Sequence, residues 1–268
     1  METHIFSKWN ITMEVMHGCY LIPIFIINLK RSQERLRRIC TSIHQANEIL
    51  QHKGYLLQPY AYNAVDYKDP ERVKTLLANY NIFTHGKHIL PAEVCCTLSH
   101  VECIKESQFR DVKQNIQRPY IICEDDIDIV RFARFFERFK TNIQQTPEQC
   151  GVLQLVASTY PQHHIYGVHQ TVVPWNLFYY SACMYLVFPK SRNILQKQYM
   201  RNNKWVIDDS RLGVADFMIY HLSNTYTTPF PYCSLQADES TIHNSHLDFH
   251  KSIHQHIEEF VASQSNSS

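Results

Sequence analysis

Glycine is scarce in this chain, with 6 residues in 268, where average usage of about 7% would supply roughly three times as many. Phosphate cradles made of backbone N–H groups need clustered glycines, and neither GxGxxG nor GxxxxGK(S/T) occurs. A Rossmann dinucleotide enzyme and a P-loop NTPase are therefore disfavoured. The absence of a G-x-S-x-G elbow argues equally against a Ser-His-Asp hydrolase. No CxxC pair is present, so zinc ribbons and thioredoxin-like motifs lack their framework. An excess of charge of one sign is missing too. Lys plus Arg (26) almost balances Asp plus Glu (25), for a formal net charge of +1, which points away from nucleic acid and from a polybasic membrane patch. No apolar run here has the length of a bilayer span: Cys19 to Leu29 is 11 residues. It has no basic segment before it and Lys30-Arg31 after it, so it reads as a buried strand and not as a signal peptide.

What is present is ordinary globular material. Hydrophobic residues make up 44% and charged residues 19%, and the length suits one α/β domain with a sizeable core. Nine cysteines are scattered, with Cys123 and Cys183 inside apolar runs. They read as buried free thiols in a reducing, cytoplasmic compartment. Residues 1–20 read as a polar, patternless arm, free to touch a membrane surface. Ile22 to Leu29 is β-branched and aromatic, as in a strand buried on both faces. Ser32 then caps a predicted helix with Leu36, Ile39, Ile43, Ile49 and Leu50 at helical spacing. An extended run over Leu56 to Val65 follows, and Asp69-Pro70 opens a short helix. Pro91 begins another helix, with Val94, Leu98, Val101 and Ile104 on one face. Tyr120 to Cys123 is a short buried strand, and Phe132 to Ile143 an aromatic-rich helix. Val152 to Ala157 and Tyr179 to Phe188 are predicted strands, and Ser191 to Met200 a helix. The last sixty or so residues lose their pattern and end in a Ser/Asn/Gln tail expected to be disordered.

Ile121-Ile122-Cys123-Glu124-Asp125-Asp126-Ile127-Asp128 is the most informative octet. Carboxylates directly after a buried strand are costly unless hydrogen-bonded or neutralised by a cation. In open α/β sheets ligands gather at the carboxyl ends of strands, where this triplet should lie. Extended geometry would point Glu124 and Asp126 one way and Asp125 the other. Such a pair can hold Mg²⁺ or Mn²⁺, hard ions that prefer oxygen and bridge readily to phosphates. A solvated turn capping the next helix accounts for the same residues equally well.

Four segments in order carry a family resemblance: Ile27-Asn28-Leu29-Lys30-Arg31-Ser32-Gln33-Glu34-Arg35; Pro91-Ala92-Glu93-Val94-Cys95-Cys96-Thr97-Leu98-Ser99-His100; Tyr120 to Ile127; and Val214-Ala215-Asp216-Phe217 with Pro229 to Ser240 beyond it. Together they resemble glycosyltransferase family 25, whose members include lipooligosaccharide and collagen galactosyltransferases. The likeness covers residues 22 to 245, with the LSH and EDD blocks the more specific. Ala92 and Cys95 stand where the family often has glycine, and Ala215 replaces a proline. The resemblance implies a GT-A-like, Rossmann-type mixed sheet flanked by helices in a single domain over 21–245, with the arm 1–20 before it and a polar tail over 246–268. It implies an inverting, metal-dependent transfer of a hexose, galactose, from a UDP-sugar to a glycan or glycoprotein hydroxyl. Asp126, with Glu124 or Asp125, would then hold the cation, and Asp216 would be the base, with Asp208 and Asp209 as alternatives. Asn28, Arg35, Ser99, His100 and Gln236 would contact the donor, although each also fits a structural role. A non-catalytic sugar- or protein-binding module on the same fold is the rival reading.

Two further clusters draw the eye. Cys96, His100 and Cys103 recur at i, i+4 and i+7, and with Cys95 suggest zinc; no second ligand pair completes a tetrahedral site, and buried helix cysteines are the preferred reading. His243, His246, His250 and His254, with His256, fall at helical spacing and read as a solvated stripe.

Overall fold

The computed structural model describes residues 4–9, 11, 13–81, 91–114, 118–160, 163, 165–168, 171–189, 191, 200–201, 204–206, 214–221, 223–236 and 247–265. The strands are β1 (Val15–Met16), β2 (Cys19–Asn28), β3 (Tyr55–Asn63), β4 (Tyr80–Asn81), β5 (Tyr120–Glu124), β6 (Ile127–Asp128), β7 (Val152–Gln154), β8 (Val173–Pro174), β9 (Met184–Val187), β10 (Met200–Arg201), β11 (Lys204–Val206), β12 (Thr225–Thr227) and β13 (Ser234–Leu235). The helices are α1 (Gln33–Gln51), α2 (Pro70–Asn79), α3 (Pro91–Gln114), α4 (Val130–Arg134), α5 (Phe136–Gln145), α6 (Ala215–His221) and α7 (Leu247–Ser265).

One eight-stranded mixed sheet organises the molecule. Its order is β3–β2–β5–β9–β7–β12–β8, with β1 on the start of β2. β2 pairs in parallel with β3 and β5, and β7 with β12, whereas β9 runs antiparallel between β5 and β7. The alternating side chains of β2 serve two cores. Ile22, Ile24 and Ile26 pack with Ile39 and Ile43 of α1 and Phe132, Phe136 and Phe139 of α4 and α5. Phe25 and Ile27 pack on the opposite side with Leu98, Val101 and Ile104 of α3 and Met218 and Ile219 of α6. That two-sided burial explains why β2 reads as a continuous apolar run. At roughly 1.5–3 kcal/mol per fully buried large side chain, these two layers are the main force holding the sheet. Pro59 is tolerated because β3 is an edge strand.

The predicted starts at Pro70 and Pro91 coincide with the observed helices, and Asp69 accepts the Arg72 N–H as a cap should. Ser32 precedes α1 without a side-chain capping bond. The aromatic helix is broken at Phe135 into α4 and α5. Strand geometry is shorter than expected at Val152–Gln154 and Met184–Val187. Most of the helix expected from Ser191 to Met200 lies outside the described residues.

Two terminal regions differ from the sequence reading. Ile5, Phe6, Ile11 and Met13 are buried in the core, and Trp9 stacks on Phe188 at 4.8 Å. Their spacing follows neither a period of 2 nor one of 3.6, so burial left no pattern to read. Residues 247–265 form a helix and not an irregular tail. Ile253 and Ile257 are buried, and the Glu258 carboxylate takes a two-pronged bond from the buried Arg131 at 2.6 and 2.5 Å. His254 and His256 lie on this helix, while His243 and His246 are outside the described residues. All nine cysteines are free thiols. Among the described residues no helix is long and apolar enough to cross a membrane.

Candidate functional site

The carboxyl ends of β2 and β5 lie side by side, with Ile27 opposite Glu124. Because β9 is reversed, the segment entering it reaches the same edge, and the Cys183 carbonyl accepts the Glu124 N–H at 2.9 Å. β5 ends at Glu124, and Asp125 and Asp126 occupy a turn, so turn geometry and not strand alternation sends the three acids apart.

Glu124 faces α3. Its Oε1 lies 3.1 Å from His100 Nε2 and receives a 3.7 Å contact from the Cys96 thiol. His100 is wholly buried, and its Nδ1 is 2.9 Å from the Tyr185 hydroxyl on β9. Burial alone would raise the Glu124 pKa, but the His100 hydrogen bond and charge, with Arg35, outweigh it and keep the carboxyl below its ordinary value. The ligand atoms of Cys96, His100 and Glu124 lie within 4.8 Å of one another, a grouping of metal-ligating type. Cys95 and Cys103 are instead buried in the core.

Asp125 turns inward. Asn28 Nδ2 donates to its Oδ2 at 2.5 Å and to the Ser32 carbonyl at 3.0 Å. Arg35, on α1, bridges Asp125 and Asp126 at 2.6 and 2.8 Å. Asp126 keeps part of its carboxylate exposed. Burial, and then the Glu124 charge, hold Asp126 well above its ordinary pKa despite Arg35. Gln236 completes this side. Its N–H donates to the Asp126 carbonyl at 2.7 Å, β13 pairs with β6, and its buried Oε1 has no partner among the described residues.

Asp216 lies in the first turn of α6. Its Oδ2 accepts the Ser181 N–H at 2.7 Å, and the Ala182 N–H also bonds to it. Burial first, and then Glu124, push its pKa up to about 6, against those two amides and His100. Asp216 thus shares one electrostatic environment with Glu124 and His100. Ser181 has φ 87°, a left-handed conformation that costs a non-glycine residue of order 1 kcal/mol or more. The surroundings enforce it. The fully buried Gln154, at the end of β7, donates to the carbonyls of Tyr179, Tyr180 and Ser181 at 3.2, 2.8 and 3.1 Å, and the Tyr220 hydroxyl donates to the Ser181 carbonyl. Gln154→Leu should cost about 1–3 kcal/mol in urea unfolding, because buried carbonyls lose their donor. An unchanged midpoint would show that water replaces the amide.

The edge of the sheet therefore brings together His100, Glu124, Asp126 and Asp216, with Arg35, Asn28 and Gln236 around the triplet. Ser99 lies between Cys96 and His100 on α3, but its buried hydroxyl is committed elsewhere, accepting the Val65 N–H and donating to the Cys95 carbonyl. Asp208 and Asp209 are outside the described residues. Tyr185, Gln154 and Ser181 went unnoticed in the sequence. Gln154 alone left a trace, as a polar residue interrupting an apolar run.

Residues 21–175 match the model of glycosyltransferase family 25 (LPS biosynthesis protein). A mimivirus protein, the procollagen lysyl hydroxylase and glycosyltransferase of Acanthamoeba polyphaga mimivirus, is 23% identical over 189 residues, which span 66% of this chain and 20% of that protein. The chain thus matches about a fifth of the length of this relative. A glycosyltransferase involved in the glycosylation of the major capsid of PBCV-1 aligns in structure with TM-score 0.42 and 8% identity, over 89% of this chain and 99% of its own. With more than half of its residues under the family model, and with its acids gathered on one sheet edge, the chain belongs to glycosyltransferase family 25.

Proposed function

We propose that this chain moves a hexose, galactose, from a UDP-sugar to a hydroxyl of a glycan or glycoprotein, with inversion and with help from a divalent cation, in a GT-A-type arrangement. The observation that carries this reading is that Asp216, which accepts the Ser181 N–H, and Glu124, whose N–H bonds to the Cys183 carbonyl, meet through residues 181–183 at one edge of the sheet.

The donor set fits a cation. Asp126 and Asp216 are both kept from easy ionisation by burial and by the negative charge of Glu124, and a positive ion would relieve that repulsion. Glu124 would hold it from the end of β5 and Asp126 from the turn beyond, and Mn²⁺ or Mg²⁺ suits their oxygens; the Cys96 thiol and the His100 imidazole group with Glu124 and add a softer side there. When bound, such an ion neutralises charge on a diphosphate leaving group. Asp125 is committed to Asn28 and Arg35, so those residues act by fixing the triplet. Ser99 anchors α3 in the same way. Gln236 offers its unpartnered amide oxygen to a donor hydroxyl. Asp216 takes the proton from the acceptor hydroxyl, its carboxylate aimed by the Ser181 and Ala182 amides.

The test is thermal shift and calorimetry with UDP-galactose and UDP-glucose, with and without Mn²⁺. A ligand bound only by the folded state raises stability, by about 2.7 kcal/mol at a hundred times its dissociation constant. A shift with UDP-galactose that needs Mn²⁺ and vanishes in Asp126→Ala is the expected result. Folded protein that binds neither nucleotide sugar would favour the non-catalytic module.

A further inference from the structure

The apolar surface of this molecule is unevenly placed. Among the described residues Tyr160, Val168, Leu177 and Phe178 are exposed within nineteen positions of sequence, while the rest of the chain exposes Val15, Met16, Tyr67 and Leu77. The first group includes an ordered set of rings. His163 stacks on Phe178 with centroids 3.9 Å apart and planes 11° from parallel. Tyr160 meets Tyr180 edge-on at 6.2 Å and 90°. The two pairs are joined by the His163 N–H, which donates to the Tyr160 carbonyl at 2.9 Å. Tyr160 and Phe178 are exposed, with His163 and Tyr180 half-buried beside them, and contiguous exposed apolar patches mark binding surfaces.

This patch runs into the carboxylate edge. Tyr180 precedes Ser181, whose N–H holds Asp216 at 2.7 Å, and Ser158 bridges to Tyr180 across the same turn. Burial, followed by the charges of Tyr160 and Asp216, raises the Tyr180 hydroxyl pKa, so that hydroxyl lies in the electrostatic field of the Asp216 carboxylate. Gln154 clamps the carbonyls of Tyr179 to Ser181, which fixes the backbone that carries the Tyr180 ring and the Ser181 amide that holds Asp216.

We propose that Tyr160, His163, Phe178 and Tyr180 form a shelf for a saccharide acceptor, on which a pyranose ring stacks while its hydroxyl reaches Asp216. The inference rests on the transferase reading and extends it to the class of acceptor. A pyranose has a C–H face that suits an aromatic ring and a rim of hydroxyls that needs polar partners. Tyrosine and histidine rings offer an apolar face and a polar tip together. A fixed shelf also spares the ordering cost that a flexible loop would incur on binding.

Saturation-transfer NMR on the full chain, with lactose as the probe, tests this without turnover. Irradiation of aromatic protons should label the sugar ring protons. In Tyr160→Ala and Phe178→Ala the dissociation constant should rise about tenfold, the factor that ~1.4 kcal/mol represents. Both side chains are exposed, so folding is spared, and Tyr67→Ala serves as an exposed-aromatic control that should leave the signal unchanged. Absent labelling, or equal labelling in all the variants, overturns the shelf. So does an unglycosylated hydroxylysine peptide that binds through these rings when lactose does not. A separate UDP-galactose titration keeps the two readings apart, since lactose labelling that depends on Tyr160 and Phe178 upholds the shelf even where the nucleotide sugar fails to bind.

Discussion

Asp216→Asn should lower glycosyl transfer by about three orders of magnitude, within the range expected when a general base is removed, while UDP-sugar binding changes little. Asparagine keeps the shape and can still accept the Ser181 and Ala182 N–H bonds, so the α6 turn should survive. What is lost is the capacity to take a proton. The pH profile gives the matching signature. With its pKa raised to about 6, Asp216 is ionised above that value and protonated below it. A bound cation would lower that value by relieving the repulsion from Glu124, so transfer by the native chain should hold through neutrality and fall as pH drops below about 6. The residual activity of Asp216→Asn should lack that limb. A variant that transfers within tenfold of the native chain, with the acid limb retained, would move the base elsewhere, with Asp208 and Asp209 next to be tried.

Arg35→Met should be the most damaging single change outside the reacting groups. Arg35 and Asp125 are nearly buried, with side-chain exposures of 11% and 8%. Arg35 is also the cation joining Asp125 to Asp126. Removing one partner of a buried pair strands the other, at about 3–5 kcal/mol. Methionine retains the length and apolar stem, so packing changes little and the loss reports charge. Urea unfolding would measure it, and Arg35→Met/Asp125→Asn should recover part of it by removing the stranded carboxylate. A loss under about 1 kcal/mol would mean that water screens the triplet.

The elements that could be read in advance are those where one physical demand dominates. β2 is buried on both faces and had to be apolar throughout. Proline at positions 70 and 91 could open a helix but not continue one. Three acids after an apolar strand pointed to the carboxyl end of the sheet through their desolvation cost, with a solvated turn an equally good account of the same residues. The resemblance supplied Asp216, which nothing in its local sequence distinguishes. What stayed hidden depends on contacts between distant segments. Ser181 is held at φ 87° by Gln154 and Tyr220, neither of them near it in sequence. Tyr185 looks like any other strand aromatic until it meets His100 across two secondary structures. The amino-terminal segment and α7 were obscured because a few apolar anchors, Phe6 and Ile253 among them, sit in otherwise polar stretches.

The reversed direction of β9 has a consequence for how the molecule breathes. The hydrogen bond from the Glu124 amide to the Cys183 carbonyl joins segments sixty residues apart, and Asp216 is aimed only once residues 181 and 182 are seated beside it. Neither the parallel pair β2–β5 nor α6 contains the site by itself. Loss of any one of these segments dismantles the site, so partly folded forms have no site to offer a ligand. Amide exchange at Glu124, inside β5, should then follow global unfolding, that at Ser181 should report the seating of Asp216, and ligands bound at this edge should slow both.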